Sequence, residues 1–133
     1  MTTNWETEIY GSEPFDAYLE QLRKRFPGSS IQSFQSNVEG ELIDAIQNAG
    51  DAADAIILNA GGYTHTSVSI ADALSAVDTP AVEVHITNIL GRDEYRHVSF
   101  IANACSGSIM GFGLDSYRLG IEAILEMQNN PGI

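Results

Sequence analysis

The stretch Ala55-Ile56-Ile57-Leu58-Asn59-Ala60-Gly61-Gly62-Tyr63-Thr64-His65-Thr66-Ser67 changes character twice within a short span. It opens with an unbroken apolar run, the pattern of a strand covered on both faces. Two glycines follow, which let backbone come close to a ligand. Hydroxyls and a histidine then gather where the next helix begins, and helix N-termini favour anions. A plain strand-to-helix turn, with Thr66 as the cap, accounts for the same residues. The stretch is not a phosphate loop, because it has neither a Lys-Ser/Thr ending nor the dinucleotide glycine spacing.

Working outward, the pattern repeats. Upstream, Ser12-Glu13-Pro14 starts a helix carrying Phe15, Tyr18, Leu19, Leu22 and Phe26, and Pro27-Gly28 ends it. Residues 30–35 alternate enough to be a strand. Asn37 caps a second helix holding Leu42, Ile43 and Ile46, closed by Gly50. Downstream, a third helix covers about residues 66–76, a strand covers residues 81–86 and a last strand residues 108–112. Asp115 starts a terminal helix with Leu119, Ile121, Ile124 and Leu125. Strands alternating with helices imply parallel βαβ units in an α/β sandwich. Such sheets bind ligands beyond the carboxyl ends of their strands, where Asn59 to His65 and His85 to Asn88 fall.

The whole chain of 133 residues reads as one domain. Its composition, 44% hydrophobic and 18% charged, is that of a globular protein rather than a disordered one. No apolar run approaches the length of a membrane span and no signal segment opens the chain, so the expectation is a cytoplasmic protein. A net charge of −12 argues against nucleic acid as a partner. It also demands that any pocket for an anionic metabolite carry its own positive potential. The single cysteine, Cys105, lies among small residues and reads as a packed apolar side chain rather than a nucleophile.

Glu83-Val84-His85 places a carboxylate and an imidazole two apart, on one face of a strand. A carboxylate beside a histidine favours its protonated form and suits it to general acid work; a half-buried ion pair is the plainer alternative. His65, His85 and His97 lack metal-binding helical spacing, so no metal is expected. Arg92-Asp93-Glu94-Tyr95-Arg96-His97 reads as a solvated short helix, although it holds two of only six Lys and Arg residues. Tyr10, in Glu8-Ile9-Tyr10-Gly11, reads by itself as a packing residue.

Taken together, these blocks resemble the type II 3-dehydroquinate dehydratase family. The resemblance is carried by residues 8–11, 34–44 (Phe34 to Asp44), 59–67, 82–88, 92–97 and the Gly111-Phe112-Gly113 turn. It is dense from Glu6 to about Leu125, with residues 1–5 outside it. It implies a flavodoxin-like three-layer sandwich assembling as homo-trimers, commonly four in a dodecamer. The implied reaction is a cofactor-free anti elimination of water from 3-dehydroquinate, through an enolate, in the shikimate pathway. By resemblance Tyr10 removes the C2 proton, His85 protonates the departing hydroxyl and Glu83 orients His85. Asn59, His65 and Arg96 match substrate-hydroxyl contacts, and the backbone of Ile86 and Thr87 matches a cradle for the substrate carboxylate. Asp72 matches a residue contributed by the neighbouring subunit.

The sequence departs from the family pattern at its start. The family opens with an apolar strand and an Asn-containing loop, then an arginine five residues before the catalytic tyrosine; here Trp5 stands in that place. The expectation is therefore a sheet without its first central strand, arising from a truncation, frameshift or misassigned start. Activity would be impaired, and the alternative is a non-enzymatic homologue that keeps the fold and assembly surface. Residues 1–5, with no apolar pattern, are not expected to fill the slot. A sheet left with a void beside the Ala55 to Asn59 strand, or direct pairing of that strand with the one holding Ile31, should follow. So should marginal stability.

Overall fold

The computed structural model describes residues 2–3, 12–87 and 99–130. Within them stand four helices, α1 (Ser12–Arg25), α2 (Glu39–Ala52), α3 (Val68–Ala76) and α4 (Asp115–Asn129). Four strands, β1 (Thr2–Thr3), β2 (Ile56–Leu58), β3 (Ala81–His85) and β4 (Gly107–Met110), form one parallel sheet in the order β1-β2-β3-β4.

Alternation along the strands splits the core between the two faces of the sheet. Ile56, Leu58 and Ala81 pack with Leu42, Ile46 and Ala49 of α2 and Ile70, Ala73 and Leu74 of α3. Ile57, Val82 and Val84 turn the other way, toward Phe15 and Leu22 of α1 and Tyr117, Ile121 and Ile124 of α4. The rings of Phe15 and Tyr117 meet edge to face at 5.4 Å. All five residues of β3 are buried, as the central position of a two-faced sheet requires. The α/β sandwich inferred from the sequence is therefore present.

Several local expectations are corrected. The α3 helix is capped by Ser67, not Thr66: the Ser67 hydroxyl accepts from Ile70 N at 3.0 Å. Asn37 does not cap α2. There the Ser36 hydroxyl accepts from Val38 N and donates to Glu41, both at 3.0 Å. Gly50 does not end α2, which runs on to Ala52. A Cβ on Gly50 would lie 2.5 Å from a Val77 methyl, so this glycine allows a close crossing rather than a stop. Residues 30–35 form no strand; only Ser33 makes an isolated bridge.

The start of the sheet also differs from expectation. Thr2 pairs with Ile57 and Thr3 with Leu58, so the slot beside β2 is entered by a two-residue strand from this same chain. The expected void is there as well. A cavity of about 890 Å³ lies beside Ala55 and Ile57, between Ala45 and Ala49 of α2 and Ile121 and Ile124 of α4.

Candidate active site

The carboxyl ends of β2 and β3 carry the polar residues singled out from the sequence. Glu83 and His85 sit two apart on β3, hence on one face, and both are buried. His85 Nε2 lies 3.1 Å from Glu83 Oε2. The same oxygen accepts from the Ser99 hydroxyl at 3.0 Å, and Glu83 Oε1 accepts from the Ser108 hydroxyl at 2.5 Å. Burial pushes the Glu83 carboxyl up, but hydrogen bonds from His85 and Ser108, the histidine's charge and the Ser99 hydroxyl outweigh it. The carboxyl is held below its ordinary value. A buried carboxylate with three donors is ionised at neutral pH.

The backbone of His85 is fixed as firmly as its ring. Its carbonyl accepts from Gly111 N at 3.1 Å and from the Ser116 hydroxyl at 3.3 Å. Gly113 N binds the Ile86 carbonyl at 2.9 Å. Gly111 has φ of 95°, a conformation that a side chain would strain, so the Gly-Phe-Gly turn is built to close over the end of β3.

Asn59, buried directly after β2, donates from Nδ2 to the Tyr117 hydroxyl at 3.2 Å and accepts Gly61 N on Oδ1 at 3.1 Å. The Gly61 φ of 56° allows that turn. Asn59 and His85 thus share one end of the sheet and lean on consecutive residues of α4, Tyr117 and Ser116. Their side chains leave from different faces: Asn59 reaches toward α4, Glu83 and His85 toward Ser99. His65 ends a 3₁₀ turn (Gly61–His65) and is half-buried. Thr64 Oγ1 and Thr87 Oγ1 are buried and have no hydrogen-bond partner among the described residues. Asp72 points to solvent from α3, away from the buried Ile70, Ala73 and Leu74, and does not join the site of its own chain. Tyr10 and Arg96 lie outside the described residues.

Cys105 is half-buried against the α2–α3 core. Burial, reinforced by the charge of Glu83, pushes its thiol up to about 12, so it is a neutral group and not a nucleophile at physiological pH. No group of His, Cys, Asp and Glu among the described residues is arranged to hold a metal ion.

The family model described as dehydroquinase class II matches residues 1–125. The chain belongs to that family. The match begins at residue 1, ahead of the stretch where the quoted motifs are dense. The 3-dehydroquinate dehydratase of Lachnoclostridium phytofermentans is 49% identical over 125 residues, covering 92% of this chain and 86% of that protein. That of Prochlorococcus marinus is 46% identical over 122 residues, covering 90% and 84%. Among solved structures, type II dehydroquinase from Butyrivibrio crossotus superposes with a TM-score of 0.83 at 34% identity, covering 93% of each chain. The Propionibacterium acnes type II dehydroquinase gives 0.83 at 28%, covering 92% of this chain and 93% of that one. The sandwich is accordingly the flavodoxin-like fold of this family.

Sequence reasoning missed Ser99 and Ser108. Ser99 stands in no block that drew notice, Ser108 was read only as the first residue of the last strand, and isolated serines carry no signal of their own. Strand register was the available clue: a parallel strand after Gly107 sets Ser108 beside Glu83.

Proposed function

We propose that this protein eliminates water from 3-dehydroquinate to give 3-dehydroshikimate, as a cofactor-free lyase of the shikimate pathway in the cytoplasm. The observation that carries the reading is the buried Glu83–His85 pair at the carboxyl end of β3, in a chain that the dehydroquinase class II family matches over residues 1–125. Tyr10, as phenolate, removes the C2 proton, and the C–H electron pair moves into the carbonyl to form an enolate. The enolate collapses, the bond to the departing hydroxyl breaks, and His85 delivers the proton that makes it water. Glu83 orients the His85 ring throughout.

Binding falls to groups at the same end of the sheet, with Asn59 coming from the opposite face. Asn59, His65 and Arg96 contact substrate hydroxyls, and the backbone amides of Ile86 and Thr87 hold the carboxylate. The unmatched Thr87 hydroxyl supports that assignment, because a buried donor left unpaired is costly and an anionic oxygen would satisfy it. Arg96, His65 and these amides supply the local positive potential that a chain of net charge −12 needs for an anion. Asp72, exposed on α3, completes the site of a neighbouring subunit in a homo-trimer, with four trimers in a dodecamer. No described helix is long and apolar enough to cross a membrane.

The test is incubation of the 133-residue protein with 3-dehydroquinate, following the ultraviolet absorbance of the conjugated product. Turnover is expected, and His85→Ala should lower kcat by roughly a thousandfold, the scale of a lost general acid. With Trp5 in the arginine position, kcat should lie about a hundredfold below that of a relative carrying the arginine, and Trp5→Arg should recover part of the difference. Absence of product from folded wild-type protein refutes the reading.

A further inference from the structure

Glu83 is held more firmly than contact with one histidine requires. Its Oε2 faces His85 Nε2 and also takes the Ser99 hydroxyl, while Oε1, the oxygen turned away from the histidine, takes Ser108. The two serines come from different elements. Ser108 stands on β4 in register with Glu83. Ser99 precedes the 3₁₀ turn Ala102–Ala104, and its oxygen accepts Ala102 N at 3.1 Å. That bond uses the Ser99 oxygen as acceptor and leaves its hydrogen for Glu83.

The terminal torsion of a glutamate is broad and roughly twofold. Contact with His85 alone would let the two oxygens exchange and the carboxylate swing. An anchor on Oε1 removes that freedom. A hydroxyl donor also favours the ionised carboxylate over the protonated acid. Ser108 is exposed at the surface of β4, so water is the competing partner for Oε1. The sheet presents the serine hydroxyl already in place, whereas a water must be localised at an entropic cost.

We propose that Ser108, with Ser99, is a positioning residue for the dehydration: it pins Glu83 Oε1 so that Oε2 stays on His85 Nε2 and the carboxyl stays ionised. The kinetic half of this inference rests on the dehydration reading above; the clamp itself is measurable without substrate. Among the described residues, the titratable groups facing Glu83 are His85 on its own strand and Cys105 at the approach to β4. The thiol, pushed up to about 12 by burial and by Glu83, stays neutral across the range of the test.

The experiment is a carbon NMR titration of the Glu83 carboxyl in the full chain, its signal assigned by its loss in Glu83→Gln. Ser108→Ala should move the Glu83 midpoint up by about one pH unit, a tenfold change in proton affinity, and Ser99→Ala should move it in the same direction. Ser108→Thr, which keeps the hydroxyl and suits a strand, should restore it. For 3-dehydroquinate, kcat should fall about tenfold in Ser108→Ala with KM within about twofold, and return in Ser108→Thr. A midpoint unmoved in Ser108→Ala, a threonine variant that titrates like the alanine one, or a moved midpoint with unchanged kcat overturns the proposal. If the midpoint moves as expected but no form of the protein turns over 3-dehydroquinate, the clamp is upheld and the dehydration reading fails.

Discussion

The two sides of β2 are built to different standards. On the β3 side the sheet is continuous: β2 pairs through three residues and β3 pairs onward to β4 through four. Every residue of β3 is buried there, and both oxygens of Glu83 are hydrogen-bonded. On the β1 side, pairing among the described residues runs through Thr2 and Thr3, and a cavity of about 890 Å³ stands beside Ala55 and Ile57. The polar constellation gathers on the closed side. The pair proposed for catalysis must hold its geometry, and the closed side supplies the neighbours that fix it. The open side should be the less stable one, because cavity walls forfeit contacts on one face.

After the loss of His85, the largest expected effect also probes the closed side. Asn59→Ala removes the bonds to Tyr117 and Gly61 and a proposed substrate contact at once. It should lower kcat/KM roughly a hundredfold, about 3 kcal/mol of transition-state stabilisation, read from steady-state kinetics on 3-dehydroquinate. A loss under about threefold would move substrate binding away from Asn59.

Adjacent residues of one strand sharpen the contrast in stability. Ile56 packs into the α2–α3 core with no exposure, whereas Ile57 faces α4 and lines the cavity. Ile56→Ala should cost about 4 kcal/mol and Ile57→Ala about 2 kcal/mol, since part of the second space is already empty. Urea denaturation of both variants measures the difference. Equal costs would show that the cavity is filled in solution.

Acid should act on the closed side through Glu83. Its folded carboxyl titrates below its unfolded value, so it contributes stability that is present above the unfolded value and lost as pH falls through the folded one. Asp115, held at about 2 by the Arg118 guanidinium, adds to the same trend over the range from roughly 4 down to 2. Being largely exposed, it adds little. Denaturation midpoints measured at pH 6 and pH 3 should fall less for Glu83→Gln than for wild type. An identical fall would remove Glu83 from the account.

The smallest effect is a gain. Ala45 of α2 lines the cavity, and Ala45→Leu would place apolar bulk into it without harming helix propensity. A rise of about 0.5–1 kcal/mol is expected in thermal or urea melts. A loss would show that the space is needed.

Much of this was legible in the residues. The run around Ile56 announced a strand covered on both faces, that around Val82 a further strand, and the helical spacing of Phe15, Leu19 and Leu22 announced α1. The two-residue spacing of Glu83 and His85 put them on one face. What escaped was decided by partners distant in sequence. Residues 30–35 alternate like a strand, yet strand formation depends on a neighbouring ladder, which alternation cannot supply. Thr2 and Thr3 carry no apolar pattern, and β2 recruits them because its edge offers unpaired amides and carbonyls. Ser67 displaced Thr66 as cap by geometry alone. Ser99 and Ser108 gain meaning only from the register that sets them beside Glu83.

The most direct test of this division is kcat for 3-dehydroquinate in Ile57→Ala and His85→Ala, measured under conditions where both remain folded. The account predicts that Ile57→Ala, weakened in stability, keeps kcat within about threefold of wild type, while His85→Ala loses roughly a thousandfold. Comparable losses in the two variants, or an active His85→Ala protein, would contradict it.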